Sequence, residues 1–158
     1  MSGKTMVAYY TKGGASGTYA QAIAGGLSEE GIRAEMVDLR ERVPDISGYD
    51  AVIVGTGVRM FMVYGRWKKV LKQKDLKSKK LFMFLSSGMA IDKPDEAVEK
   101  FLEPITAKYK LSPILMASFP GMIPDKWKEP GKENDTVKPE LARKWAGEIA
   151  ERLKEAGQ

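Results

Sequence analysis

The sequence contains no cysteine and no histidine. Thiol nucleophiles, disulfides and cysteine-ligated iron–sulfur clusters are thereby excluded, as are zinc sites of the usual kind and imidazole acid–base catalysis. No apolar run is longer than a strand, so no membrane insertion is expected. The opening Met1-Ser2-Gly3-Lys4 leads straight into an apolar stretch with no signal-peptide pattern, which makes a cytoplasmic location the expectation. Two common nucleotide motifs are missing as well. The loop after the first apolar stretch lacks the Gly-Lys-Ser/Thr ending of a triphosphate loop, and it lacks the Gly-x-Gly-x-x-Gly dinucleotide pattern, although Asp38 stands where a ribose-binding acid would. With so few native catalysts, any chemistry this chain does is expected to fall to a bound organic cofactor that the protein positions and tunes.

What is present fits one soluble domain spanning residues 1–158, with 43% apolar and 30% charged residues. The net charge of +5 favours an acidic partner, nucleic acid or an anionic surface without choosing among them. Strand and helix patterns alternate along the chain. Val7 and Ala8 lie in a first strand, and Gly17 to Glu30 places Ala20, Ile23, Ala24 and Leu27 on one helical face, with Gly31 as the C-terminal cap. Ile32 to Asp38 reads as strand two. Leu39 to Gly48, with Pro44 and several charges, reads as an irregular connection. Strand three is expected over Ala51 to Val54, then a loop from Gly55 to Gly65, a helix marked by Trp67, Val70 and Leu71, and strand four over Leu81 to Leu85.

A helix over Asp95 to Lys108 buries Val98, Phe101, Leu102 and Ile105, with Pro94 in its first turn and a kink or restart at Pro104. Strand five is expected over Ile114 to Ala117 and a loop over Ser118 to Asn134. The last helix, Glu140 to Leu153, turns Leu141, Trp145, Ile149 and Leu153 inward. Strands that read as continuous apolar runs, alternating with helices, predict an α/β fold with a doubly wound, five-stranded parallel sheet. Ligands of such sheets bind beyond the carboxyl ends of the strands, where the winding reverses.

The stretch from Lys4 to Ser16 sits at that place. Its apolar run breaks into Thr11-Lys12-Gly13-Gly14-Ala15-Ser16, where two glycines permit close backbone approach, Thr11 and Ser16 offer hydroxyls, and a helix beginning near Ser16 aims its unpaired amides at the same point. This composition makes an anion cradle or a structural turn. A phosphorylated receiver domain is disfavoured because strand three ends in Gly55 rather than an aspartate.

The loop resembles the FMN phosphate loop of the flavodoxin family, commonly Ser/Thr-x-Thr-Gly-x-Thr. Thr11, Gly14 and Ser16 match, while Gly13 and Ala15 replace a Thr and a polar residue. Loss of the middle Thr removes a hydroxyl bond to a charged phosphate of about 1.5 to 3 kcal/mol. Lys12 faces either the phosphate or solvent. The resemblance implies the flavodoxin-like strand order 2-1-3-4-5 and FMN as cofactor. It also implies two loops flanking the flavin. One runs from Thr56 and Gly57 through Val58, Arg59, Met60 and Phe61 to Tyr64, and the other is Ser86-Ser87-Gly88-Met89, with Met89 where the family often has a stacking tyrosine.

Gly55-Thr56-Gly57-Val58-Arg59 is similar to a segment of flavodoxin-like, menaquinone-dependent protoporphyrinogen oxidases. Many electron-carrier flavodoxins crowd acidic residues there instead. A positive charge about 6 Å from a reduced anionic flavin, at an effective dielectric near 20, contributes roughly 3 kcal/mol, on the order of 100 mV. Arg59 is therefore expected to ease full reduction.

From Arg66 to Lys80, eight basic residues face only Asp75. Such a run is either a solvated helix face or a docking surface for an acidic redox protein, such as a ferredoxin or a flavoprotein reductase, on Arg66, Lys68, Lys69 and Lys72. Nucleic-acid binding is disfavoured for want of interleaved aromatics. The leading expectation is a soluble FMN-binding electron carrier, monomeric or weakly dimeric. The alternative is an FMN-dependent oxidoreductase of the protoporphyrinogen oxidase or quinone reductase type, against which the short, hydrophilic stretch Phe119 to Asn134 speaks. A third reading is a module that has lost its cofactor and binds nucleic acid.

Overall fold

The computed structural model describes residues 4–10, 15–59, 62–63, 69–87, 90, 92–121 and 137–156, with backbone alone for 58–59, 62–63 and 156. Strands β1 (Thr5–Tyr10), β2 (Ala34–Asp38), β3 (Ala51–Arg59), β5 (Lys80–Ser87) and β6 (Leu115–Pro120) form a parallel sheet in the order β2-β1-β3-β5-β6. In order of occurrence these five strands run 2-1-3-4-5, as expected. A two-residue strand β4 (Met62–Val63) pairs antiparallel with the end of β3, Val58 opposite Val63 and Arg59 opposite Met62.

The sheet carries a core on each face, because strands buried on both sides send alternate side chains to opposite layers. One layer holds Met6, Ala8, Val52, Val54, Leu81, Met83 and Leu85. The other holds Val7, Ile53, Phe82, Phe84 and Phe119 under α1 (Ala15–Glu29) and the C-terminal helix. Helix α1 buries Tyr19, Ala20, Ile23 and Leu27 completely. It ends as predicted at Gly31, whose φ of +80° suits glycine; Ile32 N donates back to Leu27 O at 2.9 Å.

Several boundaries moved. Strand β3 does not stop at Val54 but continues through Arg59, since the loop residues Gly55 to Gly57 keep their register with β5. Ser86 and Ser87 end β5 rather than break from it, and Ser118 to Pro120 end β6 rather than begin a loop. Pro120 is tolerated there because β6 is an edge strand of the described sheet. Strand β2 starts two residues late, at Ala34.

The helix expected over Asp95 to Lys108 is three segments: α2 (Pro94–Ala97), a π turn (Val98–Leu102) and α3 (Glu103–Tyr109). The restart falls where Pro104 was expected to force it: proline has no N–H for the carbonyl four residues back, and its ring crowds that carbonyl, so the preceding turn widens. Of the helical marks at Trp67, Val70 and Leu71, the latter two lie buried in a helical turn, and Trp67 falls outside the described residues.

In α4 (Pro139–Ala156), Trp145 and Ile149 are buried and Leu153 is half-buried, but Leu141 is 41% exposed. A strict four-residue row drifts by about 40° per step around a helix, so its first member leaves the contact. Ala142, Ala146 and Ala150 complete the stripe instead. Small residues let α4 approach α1 closely: a Cβ built on Gly26 would stand 2.7 Å from the Ala146 Cβ. The Arg143–Glu29 and Lys154–Glu30 ion pairs rim this contact.

At the sheet centre Gly55 has no side chain, and the Phe84 ring lies against its Cα; an added Cβ would fall 1.9 Å from the ring. Phe84, Phe119 and Trp145 are packed with centroids 5.8–6.1 Å apart, so the ring has no room to withdraw. Gly55→Ala is expected to lower stability by about 1–3 kcal/mol or more, read as a lower urea midpoint. An unchanged midpoint contradicts this packing.

Candidate functional site

The carboxyl ends of the central strands change character within two residues. Below this level β3, β5 and β6 are largely apolar, whereas their last turns carry Thr56, Ser86, Ser87 and Ser118, all buried. Each hydroxyl is used. Thr56 Oγ1 donates to Gly57 O at 3.1 Å, Ala90 N donates to Ser87 Oγ at 3.2 Å, and Ser118 Oγ donates to Pro94 O at 2.5 Å. Ser16 Oγ and Ser86 Oγ share a hydrogen bond of 2.9 Å that joins the first turn of α1 to the end of β5.

That bond spans the face of β3. Ser86 is in register with Gly57, which faces the same layer as Gly55, so the β3 residue beside Ser86 adds no side chain between it and Ser16. Farther along α1, Tyr19 Oη donates to Pro120 O and accepts from Lys138 N at 3.1 Å. It stacks on Phe119, centroids 4.9 Å apart. Helix α1 is thus tied to β5, to the end of β6 and to the approach of α4. Gly121, next after β6, donates its N–H to Ser87 O at 2.8 Å, and a Cβ there would come within 3.1 Å of Ser87 backbone.

Of the residues expected at the site, Ala15 and Ser16 open α1, Thr56 and Gly57 lie in β3, and Ser86 and Ser87 end β5; the fold brings all of them to one edge of the sheet. The backbone of Val58 and Arg59 continues β3 at that edge. Thr11, Lys12, Gly13, Gly14, Met60, Phe61, Tyr64, Gly88 and Met89 lie outside the described residues. Sequence reasoning missed Tyr19, Ser118 and Gly121. The available signal was a tyrosine in the buried row of α1, whose hydroxyl needs a partner.

Asp38 is not free for a ribose. Its carboxylate accepts from Arg40 Nε at 3.3 Å, Nη2 at 3.0 Å and backbone N at 2.9 Å. The side-chain bond to Arg40 holds this carboxyl below its ordinary pKa. Tyr9, its register partner on β1, is pushed up, first by burial and then by the charges of Asp38 and Glu41. A depressed carboxylate stabilises the fold above its unfolded pKa, and that contribution disappears as pH falls through the folded value. Arg40→Gln should therefore lower stability at pH 6, with the difference from wild type vanishing in acid as Asp38 protonates. A difference that is constant with pH contradicts the pairing.

No helix among the described residues is long and apolar enough to cross a membrane, and no group of three or more acidic residues among them is placed to hold a metal ion. Solved structures place the fold. An archaeal flavodoxin is 17% identical with a TM-score of 0.63, covering 96% of this chain and 99% of its own. Oxidised flavodoxin 1 from Bacillus cereus is 19% identical with a TM-score of 0.64, covering 94% and 98%. The rubredoxin oxygen:oxidoreductase of Desulfovibrio gigas is 16% identical with a TM-score of 0.67 over 96% of this chain, which spans only 36% of that protein. No curated protein matches in sequence. The model of the flavodoxin domain matches residues 6–124. That stretch runs from β1 to just past β6 and takes in the whole hydroxyl-lined edge, so the chain belongs to the flavodoxin family of FMN-binding proteins.

Proposed function

We propose that this chain binds one FMN at the carboxyl edge of its sheet and passes electrons between redox proteins. The observation that carries the reading is the buried Ser16–Ser86 pair at the amino end of α1, beside the strand ends where the winding reverses. Two hydroxyls bring two protons, and their mutual bond spends one, so a buried donor is left for an acceptor such as a phosphate oxygen. The edge fits the group in a second respect, since hydroxyls and glycines replace bulky side chains there.

In this reading Thr11 to Ser16 hold the phosphate, with the amides opening α1 supplying donors and a favourable dipole. Thr56 to Arg59, with Met60, Phe61 and Tyr64, flank the flavin on one side, and Ser86, Ser87, Gly88 and Met89 on the other. FMN, when bound, supplies reversible electron uptake, which a chain without histidine or cysteine otherwise lacks. The experiment is reconstitution: apoprotein mixed with FMN should turn into a yellow complex with quenched flavin fluorescence at one equivalent. Colourless protein that takes up no FMN refutes the proposal.

The partner surface divides along the basic run. Lys69 and Lys72 are exposed near the helical turn that follows the β3–β4 ribbon, with Arg66 and Lys68 just before them in sequence. Lys74 and Lys77 belong to a short 3-10 helix (Lys74–Ser78), and Lys80 begins β5 opposite Ala51. Seven strand steps separate Lys80 from Ser87, roughly 23 Å. That exceeds a Debye length at physiological salt, so Lys80 stands apart from the edge, and the proposed docking face for an acidic redox protein is the first part of the run, which follows the flavin-flanking loop in sequence. Lys69→Glu/Lys72→Glu should slow electron transfer with a ferredoxin at low salt more than Lys77→Glu/Lys80→Glu does. Equal effects, or no salt dependence, contradict this division.

A further inference from the structure

The Ser16–Ser86 pair holds a choice of direction. Either hydroxyl can donate across the 2.9 Å bond. Both are nearly inaccessible, 1% and 4% exposed, and among the described residues neither makes another hydrogen bond. If Ser16 donates, the spare proton rests on Ser86 within β5. If Ser86 donates, it rests on Ser16, in the first turn of α1 among amides that have no helical acceptor. An unspent buried donor is costly, so whatever accepts it decides the direction. A phosphate dianion accepts and never donates. Placed at the amino end of α1, it selects the second arrangement.

We infer, resting on the FMN reading, that Ser86 is a positioning residue for the phosphate. It donates to Ser16 Oγ, fixes the rotamer of that side chain and frees the Ser16 O–H for a phosphate oxygen. The two bonds run in one direction, each polarising the next. Ser86 acts through Ser16, reaching it across Gly57 from a strand 70 residues further along the chain.

The test is a double-mutant cycle on the apoprotein titrated with FMN, using wild type, Ser16→Ala, Ser86→Ala and the double variant, with the phosphorus NMR resonance of bound FMN recorded for each. Ser86→Ala should weaken FMN binding about tenfold, the scale of one hydrogen bond to a charged group. It should move the phosphorus resonance, which a merely structural serine would leave in place, and it should add nothing once Ser16 is alanine. Wild-type affinity in Ser86→Ala, or penalties that simply multiply in the double variant, overturns the inference. Wild-type apoprotein that takes up no FMN overturns instead the reading beneath it.

Discussion

The structure depends on two side chains missing from one face of β3, at Gly55 and Gly57, where the strand nears its carboxyl end. Gly55 and Gly57 face the layer under α1 and α4, where Ile53, Phe82 and Phe84 of the same central strands are packed. At Gly55 the space is taken by the Phe84 ring, which then packs edge to face with Trp145 and close to Phe119. At Gly57 the way stays clear for Ser16 to meet Ser86. The first glycine sets the position of the aromatic core and the second lets α1 be fastened to β5. Large residues at either place would lift α1 from the sheet and with it the amides that face the carboxyl edge.

From that constraint the division of labour in the molecule follows. Apolar packing dominates the lower part of each central strand and supplies the stability. The hydroxyl-bearing upper ends spend part of that stability on order, because each buried polar group must find a partner. Tyr19 extends the same device, fixing one helix to two other elements with a single oxygen. The result is a set of hydrogen-bonded strand ends among the described residues, and groups already held in place lose little entropy when a ligand binds.

Much of this was legible in the sequence. Alternating apolar runs and helical rows gave five parallel strands, the resemblance to the flavodoxin family gave their order, and Gly31 and Pro104 marked a cap and a helix restart for local steric reasons. The strand ends were not legible. Thr56, Gly57, Ser86, Ser87 and Ser118 read as loop residues because hydroxyls and glycines favour turns locally, yet parallel ladders carried them into the sheet. Leu141 was misplaced because a four-residue row ignores helical drift. The Ser16–Ser86 bond was beyond reach, since it depends on two elements 70 residues apart and on a glycine between them.

Backbone amide shifts of the apoprotein on addition of FMN locate the cofactor, which is proposed to occupy the hydroxyl-lined carboxyl edge. The largest changes are expected at Ala15 to Gly17, Gly57, Ser86, Ser87 and Gly121, with none at Lys4, Asp50 or Lys80 at the other end of the same strands. Shifts confined to that opposite end, or spread without regard to the edge, would contradict this placement.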